Sequence, residues 1–272
     1  MSGESHRLAR TVEGRSLLGD ENGFVPLSAA GFDDTNDALA ADVPALDDLP
    51  ARPTPASHLS LGTPFDPGKL WGIGLNYADH ASDLDEVRPD EPASFMKPKT
   101  TVTAPGGPIR LPSRAESARV TAEAELGVVI GRTCKGIGEH DFDDVVAGFV
   151  PVIDMTAEDV LQRNPRFLTR AKSYDSFLVI GPWVSAPGTA DRLDEIEVRT
   201  VINDEVIAAN TLDRMLFSPP ELVSFHSRVM TLERGDLLST GTPGAGVIED
   251  GDTVRAEVDG VGVLEADVVR TG

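Results

Sequence analysis

From Leu70 onward apolar and polar positions alternate in short runs broken by Gly and Pro, a period of two that predicts strands rather than long helices. Leu70-Trp-Gly-Ile-Gly and Ala93-Ser-Phe-Met-Lys-Pro each read as a strand. Glu123-Ala-Glu-Leu-Gly-Val-Val-Ile-Gly alternates and then turns continuously apolar, as a buried strand does. Val146-Ala-Gly-Phe-Val-Pro-Val-Ile-Asp is a strand ending in an acid. Residues 196–207 predict a strand that turns at Asn203-Asp204 into its partner. Asp236-Leu-Leu-Ser-Thr-Gly-Thr-Pro is a strand running into a Gly/Pro loop, and 252–268 alternate strictly as a closing hairpin. Helical stretches are few. They cover 77–84, a turn at 141–145, 219–229, and 156–161 with Thr156 as cap and Asp159 three residues on. The fold class expected is mixed α/β, mostly β: a mixed sheet or roll with few short helices.

Residues 1–62 differ from the rest. The stretch 7–27 predicts a short hairpin turning at Asp20 to Gly23, and 31–56 are acidic and rich in Pro and Ala, as in a short helix and a linker. The expectation is a small, loosely packed N-terminal domain over 1–62 and a main domain over 63–272.

Composition narrows the function. The 272 residues carry 45 Asp and Glu against 24 Lys and Arg, a net charge of -21. That excludes a general nucleic-acid binder, which needs a basic face, and argues against docking on anionic lipid. No apolar run approaches the ~20 residues of a membrane span. The N-terminus lacks the apolar core of a secretory signal, so the expected location is the cytoplasm. The single Cys134 excludes an internal disulfide and a cysteine zinc cage. Only five residues are lysines: Lys69, Lys97, Lys99, Lys135 and Lys172. An acidic, lysine-poor surface repels itself in dilute buffer and is relieved by molar salt, which points to a halophile's cytoplasm.

Three acids form the strongest candidate constellation. Glu123 and Glu125 are two apart on a strand, so both face one way, and Asp154 ends another buried strand. Three carboxylates with no Cys or His suit a hard cation: Mg²⁺, Mn²⁺ or Ca²⁺. An acidic solvated edge is the plain alternative. His80 and Asp83 are three apart on an expected helix, the spacing of a carboxylate-oriented general base, or of an incidental neighbour. Lys97 and Lys172 follow apolar residues and can bind a carboxylate or an oxyanion, or serve as ordinary ion pairs. Ser239-Thr-Gly-Thr-Pro-Gly-Ala-Gly246 offers backbone N–H groups to an anion, or is a plain loop. Gly72-Ile-Gly-Leu-Asn-Tyr is no dinucleotide fingerprint, because Tyr77 replaces the third Gly, and no Gly-x-Ser-x-Gly is present.

In chain order these segments resemble the fumarylacetoacetate hydrolase family, in its short, mainly prokaryotic branch of acylpyruvate hydrolases, oxaloacetate decarboxylases and related isomerases. The resemblance runs from about Trp71 to Val268. It is carried by Gly74-Leu-Asn-Tyr-Ala-Asp-His, Phe95-Met-Lys-Pro, Glu123-Ala-Glu-Leu-Gly, Asp154-Met-Thr-Ala, Ala171-Lys-Ser-Tyr-Asp-Ser-Phe, Phe217-Ser-Pro-Pro-Glu-Leu and Leu232-Glu-Arg-Gly-Asp-Leu-Leu-Ser-Thr-Gly-Thr-Pro. It implies a β-sandwich roll, a divalent ion on Glu123, Glu125 and Asp154, a His80–Asp83 dyad and a substrate-facing Lys172. Tyr77, Lys97, Gly241 and Thr242 become the expected substrate contacts.

The implied substrate is a small 2-oxo acid, and the implied assembly a homodimer. The implied reaction is metal-dependent hydrolysis or decarboxylation at a C–C bond. Dehydration of a 2-keto-3-deoxy sugar acid, isomerisation, and a non-catalytic metal-containing binder are the alternatives. Departures from the family pattern bear on the substrate. Asp83 replaces a usual Glu, Glu158 stands where many members carry Arg, and Leu161 where they carry Gln. Lys99 takes the place of Ser or Thr and is expected to restore some positive charge, whereas Glu158 is expected to reverse the local field.

Overall fold

The computed structural model describes residues 6–77, 90–189 and 192–270. Its strands, in chain order, are β1 (Arg7–Arg10), β2 (Ser16–Asp20), β3 (Gly23–Pro26), β4 (Leu70–Gly74), β5 (Ala93–Lys97), β6 (Val102–Thr103), β7 (Gly106–Leu111), β8 (Val120–Ile130) and β9 (Val146–Ala157). They continue with β10 (Leu178–Ile180), β11 (Trp183–Ser185), β12 (Glu197–Ile202), β13 (Glu205–Thr211), β14 (Leu237–Ser239), β15 (Ala245–Ile248), β16 (Thr253–Val258) and β17 (Gly262–Arg270). The α-helices are short: α1 (Thr35–Ala38), α2 (Phe142–Val145), α3 (Glu158–Arg163), α4 (Leu168–Lys172) and α5 (Pro219–Val229). The chain is therefore mixed α/β and dominated by strands, as its alternation predicts. Among the described residues no helix is long and apolar enough to cross a membrane.

Among the described residues two sheets carry the architecture. The larger runs β3-β2-β1-β11-β9-β8-β14-β4-β5, with β10 and β15 pairing on β9 and β8; the smaller runs β13-β12-β16-β17-β7. The long antiparallel ladder of β8 and β9 is the spine of the larger sheet. Its two faces do different work, because successive side chains point to opposite sides. Ala122, Ala124 and Leu126 of β8, with Ile153 and Met155 of β9, pack against Val198, Val254, Ala256, Leu264 and Ala266 of the smaller sheet. Each fully buried Leu or Ile in that layer contributes on the order of 1.5–3 kcal/mol.

The opposite face divides in two. At one end Val129, Val150, Val152 and Leu237 lie under Leu8, Leu18, Val25, Leu27 and Phe65. At the other end the same face presents Glu123, Glu125 and Asp154.

Local chemistry explains several element ends. Asn203 and Asp204 both take positive φ, 50° and 65°, the backbone of the tight turn joining β12 to β13. Helix α5 opens on Pro219 and Pro220, where missing N–H groups cost nothing, and the Ser218 N–H donates to Glu221 at 2.7 Å.

Three expectations are corrected. The N-terminal hairpin is a three-stranded meander: β2 and β3 turn at Asp20 to Gly23, and β1 pairs with both β2 and β11. Its packing is not loose, since Leu18, Val25 and Leu27 are fully buried. Finally, Thr156 caps no helix. Strand β9 continues to Ala157, α3 starts at Glu158 without a side-chain cap, and Asp159 instead accepts from Ser117 Oγ at 2.5 Å.

Candidate active site

The period of two sets Glu123 and Glu125 on one face of β8, and antiparallel register sets Asp154 of β9 directly across from Glu123. One carboxylate oxygen from each of the three lies within 4.8 Å of the others. Glu125 and Asp154 are buried and Glu123 is nearly so. Three buried carboxylates this close repel one another unless positive charge lies among them.

Two lysines supply part of that charge. Lys172, the last residue of α4, donates from Nζ to Glu123 Oε2 at 2.8 Å and to Asp154 Oδ2 at 3.0 Å. Lys97, the last residue of β5, is hydrogen-bonded to Asp154 Oδ1. The Phe95 ring lies 5.1 Å from Lys172 Nζ, the arrangement of a cation over an aromatic face.

The ionisation of these groups follows from burial and charge. Burial alone would depress Lys172, but the carboxylates of Asp154, Glu123 and Glu125 outweigh it and hold its pKa above the usual lysine value. For Lys97 burial wins over its attraction to Asp154, and the charge of Lys172 adds to the lowering. Burial, reinforced by the charges of Asp154 and Glu123, pushes Glu125 up to about 8. The site thus holds more carboxylate than its two ammoniums compensate. An all-oxygen set with that deficit fits a hard divalent cation.

Outer hydrogen bonds hold the acids in place. Thr156 Oγ1 donates to Glu123 Oε1 at 2.6 Å, Ser239 Oγ to Glu125 Oε2 at 2.5 Å, and the Gly241 N–H to the same oxygen at 2.9 Å. Thr156 and Ser239 were not among the expected site residues. Thr156 carries a capping pattern that points elsewhere, and Ser239 lies inside the Ser-Thr-Gly-Thr-Pro run, where its role depends on a strand far away in the chain. The run does present an N–H to an anion, but that anion is the chain's own Glu125. Thr242 closes the loop on itself, donating to Gly244 O at 2.9 Å.

The remaining expected residues divide as follows. Tyr77 is fully buried, and its hydroxyl has no hydrogen-bond partner among the described residues. Burial and the Glu125 charge raise its pKa, so it stays a phenol. His80 and Asp83 lie outside the described residues.

Glu158 does not reverse the local field as its sign suggests: Arg119 Nε pairs with its Oε2 and Gln162 Nε2 donates to its Oε1 at 2.9 Å. Leu161 packs at the margin of the core between the sheets. Lys99 brings no positive charge to the site. It is exposed and paired with Asp66 at 2.5 Å.

Known proteins resemble the chain along most of its length. Residues 69–269 match the family model described as fumarylacetoacetate (FAA) hydrolase C-terminal. A mitochondrial oxaloacetate tautomerase of Bos taurus is 33% identical over 209 residues, covering 74% of this chain and 93% of the relative. The crystal structure of a 5-carboxymethyl-2-hydroxymuconate delta-isomerase from Mycobacterium smegmatis superposes with a TM-score of 0.80 at 32% identity, covering 97% of this chain and 100% of that one. A maleylpyruvate hydrolase from Sphingobium sp. SYK-6, solved in complex with manganese(II) ion and pyruvate, gives a TM-score of 0.82 at 29% identity, covering 98% and 100%. These relatives are enzymes, and the matched span contains the whole acid triad and both buried lysines. The chain therefore belongs to the fumarylacetoacetate hydrolase family.

Proposed function

We propose that the protein is a divalent-metal-dependent enzyme that breaks a C–C bond of a small 2-oxo acid, by hydrolysis or decarboxylation, through the enolate of that acid. One observation carries the reading. Three buried carboxylates converge within 4.8 Å while two buried ammoniums point at their oxygens. Mg²⁺ is the first choice of ion, with Mn²⁺ and Ca²⁺ as the other cations that carboxylate oxygens suit. Glu123, Glu125 and Asp154 would hold it. When bound, the ion supplies Lewis acidity toward the carboxylate and 2-oxo oxygens of the substrate.

The chain's own groups do the rest. Lys172 spends two N–H bonds on Glu123 and Asp154, and an ammonium has three donors. The third is available to the oxygen on which enolate charge develops. His80, aligned by Asp83, takes the proton of the water that attacks the distal carbonyl in the hydrolytic case. In the decarboxylating case it returns a proton to the enolate carbon. Tyr77, Lys97, Gly241 and Thr242 shape the wall around that end of the substrate. A homodimer is part of the reading, and light scattering tests it.

A second reading shares the enolate. Relatives named as a tautomerase and a delta-isomerase support proton transfer on a 2-oxo acid without bond cleavage. Dehydration of a 2-keto-3-deoxy sugar acid loses its particular support, because Arg119 neutralises Glu158.

The test is to offer oxaloacetate, an acylpyruvate and a 2-keto-3-deoxy pentonate with Mg²⁺ or Mn²⁺ in molar KCl. Pyruvate release, enol absorbance and the dehydrated product are followed in parallel, with Asp154→Ala as control. Metal-dependent pyruvate release from one of them supports cleavage. Enol decay alone supports tautomerisation. Silence on all three from folded, ion-loaded protein would favour a binder and sink the reading.

A further inference from the structure

Glu125 is held differently from the other two acids. It is 1% exposed, and two donors, Ser239 Oγ and the Gly241 N–H, both reach the same oxygen, Oε2. A carboxylate oxygen offers two lone-pair directions, so Oε2 is saturated and Oε1 keeps its electron pairs. The orientation of Glu125 is therefore decided by the last residue of β14 and the loop that follows it.

That loop is pinned by two side chains, those of Thr240 and Asn76. Thr240 is tied to the Leu126 carbonyl through both its N–H, at 3.0 Å, and its hydroxyl, at 2.9 Å. Asn76 Nδ2 donates to the Thr240 carbonyl at 2.8 Å and to the Phe217 carbonyl at 3.0 Å, while Asn76 Oδ1 accepts from the Phe217 N–H at 2.9 Å. The Asn76 side chain, 1% exposed, thus has every donor and its carbonyl engaged.

Gly241 lies against it with φ of 96°; an added Cβ would stand 2.9 Å from Asn76 Cβ and 3.1 Å from the Ile73 carbonyl. An acid in place of the Asn76 amide would lose both of these donated bonds and set a carboxylate against two carbonyl oxygens, which loosens the loop.

We propose that Ser239 and Asn76 are positioning residues: Ser239 by direct contact, and Asn76 through the Thr240–Gly241 backbone, turn Oε1 of Glu125 toward the cation. This rests on the reading that Glu123, Glu125 and Asp154 hold a divalent ion. Outer partners of metal ligands commonly change metal affinity by about 10–100-fold when removed.

The experiment titrates metal-free protein with Mn²⁺ and follows the free ion by electron paramagnetic resonance, for wild type, Ser239→Ala, Asn76→Asp and the double variant. Thermal unfolding of each metal-free protein is recorded alongside. The expected result is folded variants that each bind Mn²⁺ about 10-fold or more weakly. The double variant should lose less than the sum of the two, because both act through one oxygen. Should Asn76→Asp not fold, Asn76→Ser carries the comparison with a smaller donor. Unchanged Mn²⁺ affinity in folded variants, with or without a lower melting temperature, would reduce both residues to packing and overturn the proposal. Absence of Mn²⁺ binding by wild type would instead overturn the metal reading itself.

Discussion

Glu123 stands directly opposite Asp154 in the register of β8 and β9, two carboxylates paired across a buried ladder. Like charges so placed destabilise a sheet. Lys172 sits between them, at 2.8 and 3.0 Å, and makes the pairing tolerable. The ammonium thus holds the two acids side by side in the ladder.

Replacing that ammonium should expose the cost. Lys172→Met leaves the acid pair facing each other with Lys97 alone, and metal-free stability should fall by about 3–5 kcal/mol. Added Mn²⁺ should restore much of the loss, since an ion that binds the folded state alone stabilises it by mass action. Urea unfolding with and without Mn²⁺ checks both parts. A loss below about 1 kcal/mol would mean that the acids do not depend on Lys172.

Asp154→Ala removes an acid that contacts both lysines. Mn²⁺ binding should become undetectable, and turnover should drop on the order of 100-fold or more. Lys97, its side chain 1% exposed, is left without its anion, so the variant should also unfold at a lower temperature. Isothermal titration calorimetry with a melting curve separates the two effects. Tight Mn²⁺ binding by the folded variant would remove Asp154 from the ligand set.

Glu125 predicts opposite pH trends for stability and for metal affinity. Its folded pKa, raised by burial and by Asp154 and Glu123 to about 8, lies above the ordinary 4.5. The folded state therefore holds an extra proton between those values, and metal-free stability should decline as pH rises from 4.5 to about 8. An ion needs the carboxylate, so Mn²⁺ affinity should climb over the same range, with proton release on binding. Unfolding curves and Mn²⁺ titrations at three pH values test this; affinity flat with pH contradicts it.

His80 should separate proton transfer from metal binding. His80→Asn is expected to leave Mn²⁺ affinity unchanged and to lower turnover by about 10²–10⁴-fold. The acid limb of the rate profile should vanish with it. A variant that turns over normally would remove His80 from the mechanism.

The net charge of -21 makes a prediction about solvent. Raising KCl from about 0.1 to about 2 M shortens the Debye length to a few Å and should raise the melting temperature. A melting temperature that falls or holds constant would argue against a high-salt setting.

What the sequence by itself determined was local. Alternation put Glu123 and Glu125 on one face. Asn203-Asp204 announced the tight turn, and 219–229 was legible as a helix because its signals lie within a few residues of one another. The family, and with it the acid triad, was legible from motifs in order.

Tertiary structure decided the rest. The capping pattern at Thr156 lost to the β8–β9 ladder, which carried the strand on to Ala157 and gave the hydroxyl to Glu123. Glu158 reads as a reversed charge until Arg119, distant in sequence, is brought beside it. Ser239 and Asn76 become partners of Glu125 and its loop only once β14 lies beside β8. The physical reason is the same in each case. Periodicity and turn chemistry act over a few residues, whereas the partner of a buried polar group is chosen by strand register and by the high cost of leaving it unpaired.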